Sequence, residues 1–253
     1  MKVQTRILFL LLAIVAVFAG GLALIESRQH AKAREIWWQR AQERSRSFDA
    51  FLDRRGEPLA TLAKDDTTYD AMVQAISHDD QAWIKGYVND AESAEADELW
   101  IYHPDRTLFF SVNRRNADSP LEQIPLPSAA FDALLRAPHL LHFWLNVPPE
   151  GILEIRAATV HSSSDGWRQT PPQGYYFAGR LWSKEYVQNL ARDSDNTAIQ
   201  WLPAGSAANP GPQEFDDDSV AFVHALPGWD GKPMAKLLVV NESAIVKELN
   251  RSS

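Results

Sequence analysis

The sequence predicts an α+β fold, and three observations predict it. Residues 27 to 55 are charged and free of Gly and Pro, and their apolar positions recur with helical period. From Leu99 onward the pattern changes to short aromatic and β-branched runs. Turn residues separate those runs, so helices come first and mostly sequential strands follow. That order favours an antiparallel sheet with flanking helices over an alternating parallel sheet.

Ahead of the first helix, Ile7 to Ile25 (ILFLLLAIVAVFAGGLALI) carries no charge. Nineteen residues at about 1.5 Å each make a helix of roughly 28 Å, close to the thickness of a bilayer core. A retained anchor is the favoured reading. A cleaved secretory signal is the alternative, with Lys2 and Arg6 as its basic region and Val17-Phe18-Ala19 as its small-residue cleavage site. The apolar run continues to Ile25, past that site, which favours the anchor. Lys2 and Arg6 place the N-terminus in the cytoplasm, but Arg28, Lys32 and Arg34 follow the run, so charge alone barely orients it. The predicted organisation is a cytoplasmic stub 1–6, a transmembrane helix 7–25, a long juxtamembrane helix 26–57 and an α+β domain 58–253.

In the long helix, Trp37, Ala41, Phe48, Phe51, Leu52, Leu59 and Leu62 form an apolar stripe that Arg44 and Arg55 interrupt. The stripe packs either on its own domain or on a second copy of the chain, so a homodimer through residues 27–55 stays open. Gly56-Glu57-Pro58 predicts a kink or restart. Helices are then expected from Pro58 to about Ile76 and from Asp80 to Glu92. Leu99–His103 and Leu108–Val112 read as a hairpin around Pro104-Asp105-Arg106. Ser128 is placed as the cap of a helix to Arg136, and Ser183 as the cap of one to Asp193. Strands are expected at 140–147, 152–160, 175–181, 198–202, 220–226 and 235–240, with a last helix from near Ser243. The polar stretches 162–173 and 203–218 read as lids or disorder. Trp100, Trp144 and Trp182 lie in apolar runs and read as core, whereas Trp37-Trp38 reads as helix packing.

The composition excludes several functions. The absence of cysteine rules out a disulfide framework and thiolate chemistry. Beyond residue 60 the chain holds 15 Lys and Arg against 27 Asp and Glu, an acidic balance that repels nucleic acid. No G-x-S-x-G, P-loop, HExxH or dinucleotide-binding glycine pattern occurs, so no catalytic residue, cofactor or metal site is assigned. His139 and His142 should point to opposite faces of a strand, and Asp216-Asp217-Asp218 reads as a solvated acidic loop. An exported hydrolase using Glu154 with Asp165 is the weakest alternative, because their spacing is not specific.

Three stretches carry a family resemblance. Asp65-Asp66-Thr67-Thr68-Tyr69 is similar to a Trp-Asp-Asp-Thr-Tyr signature, matching at Asp66, Thr68 and Tyr69 and departing at Asp65 and Thr67. Gly174 to Arg180 (GYYFAGR), before the Ser183 helix, looks like a glycine–arginine strand, and Gly231-Lys232-Pro233 looks like a closing turn. Over residues 40 to 250 the chain resembles the Cache-like extracytoplasmic sensor domains of bacterial receptors, most closely the fourth class of CHASE domains. The resemblance implies a PAS/Cache-like antiparallel sheet, a single-pass protein of the bacterial inner membrane and a C-terminal domain in the periplasm. It implies a small ligand, with Asp66, Tyr69 and Arg180 as the candidates that orient it. Arg180 suits a carboxylate and Tyr69 offers a ring and a hydroxyl. The plainer alternative is that Asp66, Thr68 and Tyr69 tie helix to sheet. Family members usually continue into a kinase or cyclase, whereas this sequence stops at Ser253. The expectation is therefore either a fragment or a stand-alone sensor that lacks its own output module and acts through a histidine kinase or diguanylate cyclase partner. The rival is an envelope-anchored accessory subunit that binds another protein and no metabolite.

Overall fold

The computed structural model describes residues 3–88, 95–114, 121–136, 139–149, 151–194, 197–203, 205–216 and 219–242. Helix α1 (Val3–Asp65) is continuous for 63 residues and passes through Pro58. The restart expected at Gly56-Glu57-Pro58 is thus corrected, as is a separate helix from Pro58 to Ile76. Proline removes the N–H that would bond the Arg54 carbonyl, a loss that outside donors commonly offset. The next carbonyl, Arg55 O, accepts from Arg180 Nη1 at 2.7 Å, a tie that holds the helix to the sheet at this point without replacing the bond that Pro58 lacks. After α1 come a 3-10 turn (Asp66–Thr68), α2 (Asp70–Ser77) and α3 (Gln81–Tyr87). The Asp80 carboxylate caps α3 by accepting from Trp83 N at 3.0 Å.

The strands form two antiparallel sheets, where the sequence led us to expect one. In the first, β1 (Glu98–Tyr102), β2 (Leu108–Asn113), β3 (Leu140–Val147), β4 (Gly151–Val160) and β5 (Gly174–Trp182) lie in the order β2-β1-β5-β4-β3. In the second, β6 (Ala198–Pro203), β7 (Gly211–Asp216), β8 (Ser219–Pro227) and β9 (Pro233–Glu242) lie in the order β6-β9-β8-β7. Two short helices complete the fold. In α4 (Ser128–Leu134) the cap position falls on Pro127 and not on Ser128. In α5 (Lys184–Asp193) Ser183 caps as expected, its Oγ accepting from Tyr186 N at 3.1 Å.

Helix α1 is the common spine. Its residues 37 to 52 lie along the four-stranded sheet: Trp37 Nε1 donates to Ser219 O at 3.0 Å, and the Phe48 ring meets Phe222 edge-on at 5.6 Å. Residues 55 to 65 lie along the five-stranded sheet, where Leu59 and Ala63 pack with Met72, Ile76, Leu99 and Tyr176. The other face of that sheet is filled by Trp100, Tyr102, Phe143 and Phe177, closed over by Phe131 of α4. Each such apolar side chain contributes about 1.5–3 kcal/mol on burial. Among the described residues no helix is long and apolar enough to cross a membrane. The side chains of the run 7–25, apart from the exposed Phe18, lie outside the described residues. So do Asp217, Asp218 and the helix expected from Ser243.

Candidate functional site

The register of β4 against β5 sets Glu154 opposite Arg180, and β3 against β4 sets His142 opposite Arg156. Positions two apart share a face, so Glu154, Arg156, Arg180 and Trp182 all turn toward α1. Glu154 gathers them: Trp182 Nε1 donates to its Oε2 at 3.0 Å, and Arg180 Nη1 lies 3.8 Å from the same oxygen. Its Oε1 takes Arg156 Nη2 at 3.4 Å and His142 Nε2 at 3.2 Å. Arg180 and Glu154 are each 2 % exposed. Burial works to raise the Glu154 carboxyl, but His142, Arg180 and Arg156 outweigh it and hold it below the usual carboxylate range. Burial also lowers His142 and Arg156 from their ordinary values. Gly56 lets α1 come this close: a Cβ there would lie 2.5 Å from Arg156 Nη2 and 3.0 Å from Glu154 Oε1.

A second network closes the far end of α1. Asp66 is buried, its two oxygens accepting from Tyr87 OH at 2.8 Å and Tyr176 OH at 2.7 Å. Burial, reinforced by the Asp66 charge, raises the Tyr176 hydroxyl well above its ordinary value. Thr67 Oγ1 donates to Ala63 O at 2.7 Å and accepts from Arg168 Nη2 at 2.7 Å, and Arg168 Nη1 also donates to Thr159 O. His161, fully buried, sets Nδ1 3.0 Å from Asp165 Oδ2 and Nε2 2.9 Å from Thr159 Oγ1. An ionised Asp165 only accepts, so the proton sits on Nδ1 and Thr159 donates to Nε2. Hydrogen bonds from Thr170 and the Gln169 and Thr170 amides hold Asp165 far below the carboxylate range. The stretch 162–173, expected as a lid or disorder, is instead a braced loop with a 3-10 turn at Ser163–Asp165. Asp70 ties it to α2, accepting from Ser163 N at 2.8 Å and from Ser163 Oγ at 2.6 Å.

The structure divides the three sequence candidates between these two places. Tyr176 and Arg180 are four residues apart on one face of β5, about 13 Å along the strand. Asp66 sits with the first and the α1–sheet contact holds the second. Tyr69 is 47 % exposed and ends a stack of rings, 5.9 Å from Tyr87, which lies 4.9 Å from Trp83. Beside Arg180 an open cleft of about 420 Å³ is lined by Glu95, Arg114, Ser183, Glu185 and Tyr186. Glu95 Oε2 lies 3.6 Å from Arg180 Nη2 and is 56 % exposed. Glu154 and Asp165, weighed above as an acid pair, belong to separate networks.

Sequence reasoning missed the networking roles of Glu154, Arg156, His161 and Arg168. For Glu154 and Arg156 the signal was present: charged residues inside the apolar run Ile152–Val160 must find partners when buried.

No family model matches this chain, and no curated protein matches it in sequence. Solved structures do match. The sensor domain of the Vibrio cholerae histidine kinase DctB superposes with a TM-score of 0.51 at 8% identity, covering 83% of this chain and 98% of that one. The periplasmic domain of Vibrio cholerae LuxQ superposes with a TM-score of 0.50 at 12% identity, covering 79% of this chain and 99% of that one. At these identities the likeness is one of fold. The chain has the α+β architecture of Cache-like periplasmic sensor domains, a long N-terminal helix laid along two antiparallel sheets.

Proposed function

We propose that this chain is an extracytoplasmic sensor module of the fourth CHASE class, held in a bacterial inner membrane by residues 7–25 with its sheets in the periplasm. In this reading a small ligand or cue shifts the packing of the sheets on α1, and α1 relays the shift to a signalling partner such as a histidine kinase or diguanylate cyclase. Pairing of two α1 helices over residues 27–55 belongs to the same proposal. The observation that carries it is one continuous helix anchored to both sheets, by Trp37 at one and by Arg55 and Asp66 at the other. A ligand is transmitted only through different affinities for two packings, and an element touching both sheets supplies the difference.

Arg180 is the proposed ligand group, reached through its cleft by a small carboxylate that replaces Glu95. Asp66 and Tyr69 keep a part as the residues that fix the far end of α1. The test is a thermal-shift screen of the full chain against carboxylates and amino acids. A ligand at 100 times its Kd adds about 2.7 kcal/mol, and Glu95→Gln should tighten it. A flat screen on folded protein would overturn the ligand reading. The second reading, an accessory subunit that binds a protein, is favoured by Trp167, 87 % exposed at the tip of the loop that Asp165 braces. Trp167→Ala should then abolish capture of the partner without moving stability.

A further inference from the structure

The loop 162–173 is tied twice to the turn that follows α1, once on each side of an exposed ring. Ser163 N and Oγ donate to the Asp70 carboxylate at 2.8 and 2.6 Å, and Arg168 Nη2 donates to Thr67 Oγ1 at 2.7 Å. Trp167 stands between Ser163 and Arg168, and Tyr69 stands between Thr67 and Asp70. The two ties therefore bring both aromatic residues to one end of the molecule. Trp167 is 87 % exposed and Tyr69 47 %, the latter backed by the Tyr87 ring at 5.9 Å with the planes 20° apart. The loop holds Trp167 firmly. Asp165 accepts from Gln169 N, Thr170 N and Thr170 Oγ1, and the buried Arg168 keeps a φ of 54°, which non-glycine residues rarely adopt. The exposed surface of this loop is neutral. Charged residues make up 23 % of the chain, yet within 162–173 they are only Asp165 and Arg168, and both turn inward to His161 and Thr67. Around Trp167 the loop exposes Ser163, Ser164, Gln169, Thr170 and Gln173, all hydroxyls and amides.

We infer that this end of the molecule binds a neutral oligosaccharide. The C–H face of a sugar ring packs on an indole or phenol ring, whose negative face attracts those weakly positive hydrogens. The sugar hydroxyls then meet the side-chain amides and hydroxyls around Trp167, each able to donate and accept. In the accessory-subunit reading a protein covers the same indole. A stable protein interface takes about 800 Å² from each partner around an apolar centre. In these two segments the exposed large apolar side chains are the two rings alone, set among hydroxyls and amides, which suits a sugar better. The site shares no residue with the Arg180 cleft and does not depend on the carboxylate proposed there.

The test is calorimetric titration of the full chain, kept free of glycoside detergents, with chitotetraose, cellotetraose and maltotetraose. At least one of these uncharged probes should bind saturably, with an affinity that stays the same between about 0.05 and 0.5 M salt. Trp167→Ala should weaken that binding by about tenfold or more, and Trp167→Tyr, which keeps a ring, by about threefold at most. Both should leave the melting curve unchanged, because the indole touches little of the fold. Tyr69→Ala should weaken binding by about three- to tenfold. Glu95→Gln, in the other cleft, should change nothing here, so failure of the carboxylate screen and failure of this titration are separate results. No saturable binding by folded protein, undiminished binding by Trp167→Ala, or a protein captured through Trp167 with no sugar bound would each overturn the inference.

Discussion

Replacing Arg180 with methionine tests whether charge seats α1 on the five-stranded sheet. The substitution keeps an unbranched apolar stem and removes the guanidinium that donates to Arg55 O at 2.7 Å and lies 3.8 Å from Glu154 Oε2. Removing one partner of a buried ion pair costs about 3–5 kcal/mol, and losing the charged donor's hydrogen bond to a carbonyl that keeps its helical partner costs about 1.5 kcal/mol or less. The two losses run through one group, and Trp182, His142 and Arg156 still serve Glu154, so they do not add. We expect about 4 kcal/mol. In urea, with a slope of about 3 kcal/mol per M, the unfolding midpoint should fall by about 1.3 M. Amide exchange should accelerate first around residues 52–60, where the helix loses its anchor. The double variant Arg180→Met/Glu154→Leu leaves Trp182 Nε1 and Arg156 Nη2 without their acceptor and should be less stable than Arg180→Met alone, but by less than Glu154→Leu costs in the parent chain, because the Arg180–Glu154 interaction is then already lost. A cost below about 1 kcal/mol for the single variant, or a double variant that costs the sum of the two singles, would refute the reasoning.

Three further outcomes follow from the same structure. Gly174→Ala should destabilise by about 1–3 kcal/mol, since a Cβ there would lie 2.8 Å from Tyr102 O and 2.9 Å from Ile76 Cδ1; an unchanged melting temperature would contradict this. Asp66→Asn turns one acceptor toward Tyr87 or Tyr176 into a second donor and should cost about 1–3 kcal/mol, recovered in part by Tyr87→Phe in a double-mutant cycle. Burial holds His161 and His142 below their ordinary value despite the opposing pull of Asp165 and Glu154. In the unfolded chain both titrate near about 6.5, so below that pH the unfolded state binds more protons. Their contribution is complete above that value and is lost as pH falls through the window beneath it. Urea midpoints at pH 7.5 should therefore exceed those at pH 5.5, with a smaller gap in His161→Gln; equal midpoints would sink the assignment.

Local chemistry made most elements legible, and non-local pairing hid the rest. Ser183 reads as a cap from its own neighbours, and the hairpin turn at Pro104-Asp105-Arg106 is equally local. Strand β7 escaped because Gly211-Pro212 opens it inside a polar stretch. Away from the strand ends Pro is tolerated at an edge, and β7 is the edge of its sheet, a fact that no short window contains. The split into two sheets has the same origin: β5 lies between β1 and β4, a pairing across dozens of residues. Pro58 misled because the helix is held on the five-stranded sheet on both sides of it, by Arg55 and by Leu59 and Ala63, through residues far along the chain. Arg180 entered through the resemblance of Gly174 to Arg180 to a glycine–arginine strand; the Arg55 carbonyl that its Nη1 reaches lies 125 positions earlier, a contact that no short window contains.

An apolar helix face alone defines its position on a sheet poorly, because ridges of Leu and Ala repack after a shift at modest cost. Charges define it sharply. Moving α1 by one turn, about 5.4 Å, would take Arg55 O out of reach of Arg180. It would also take Gly56 from over the Glu154–Arg156 pair and bring a Cβ against Arg156 Nη2 and Glu154 Oε1, which would have to shift. The same shift would part Asp66 from Tyr176 at the other end of the contact. Two anchors about 13 Å apart on β5 therefore permit one register and penalise its neighbours. In the proposed reading such an arrangement would answer to a ligand as a choice between discrete packings, and a small molecule that changed the partners of Arg180 would act where that choice is made.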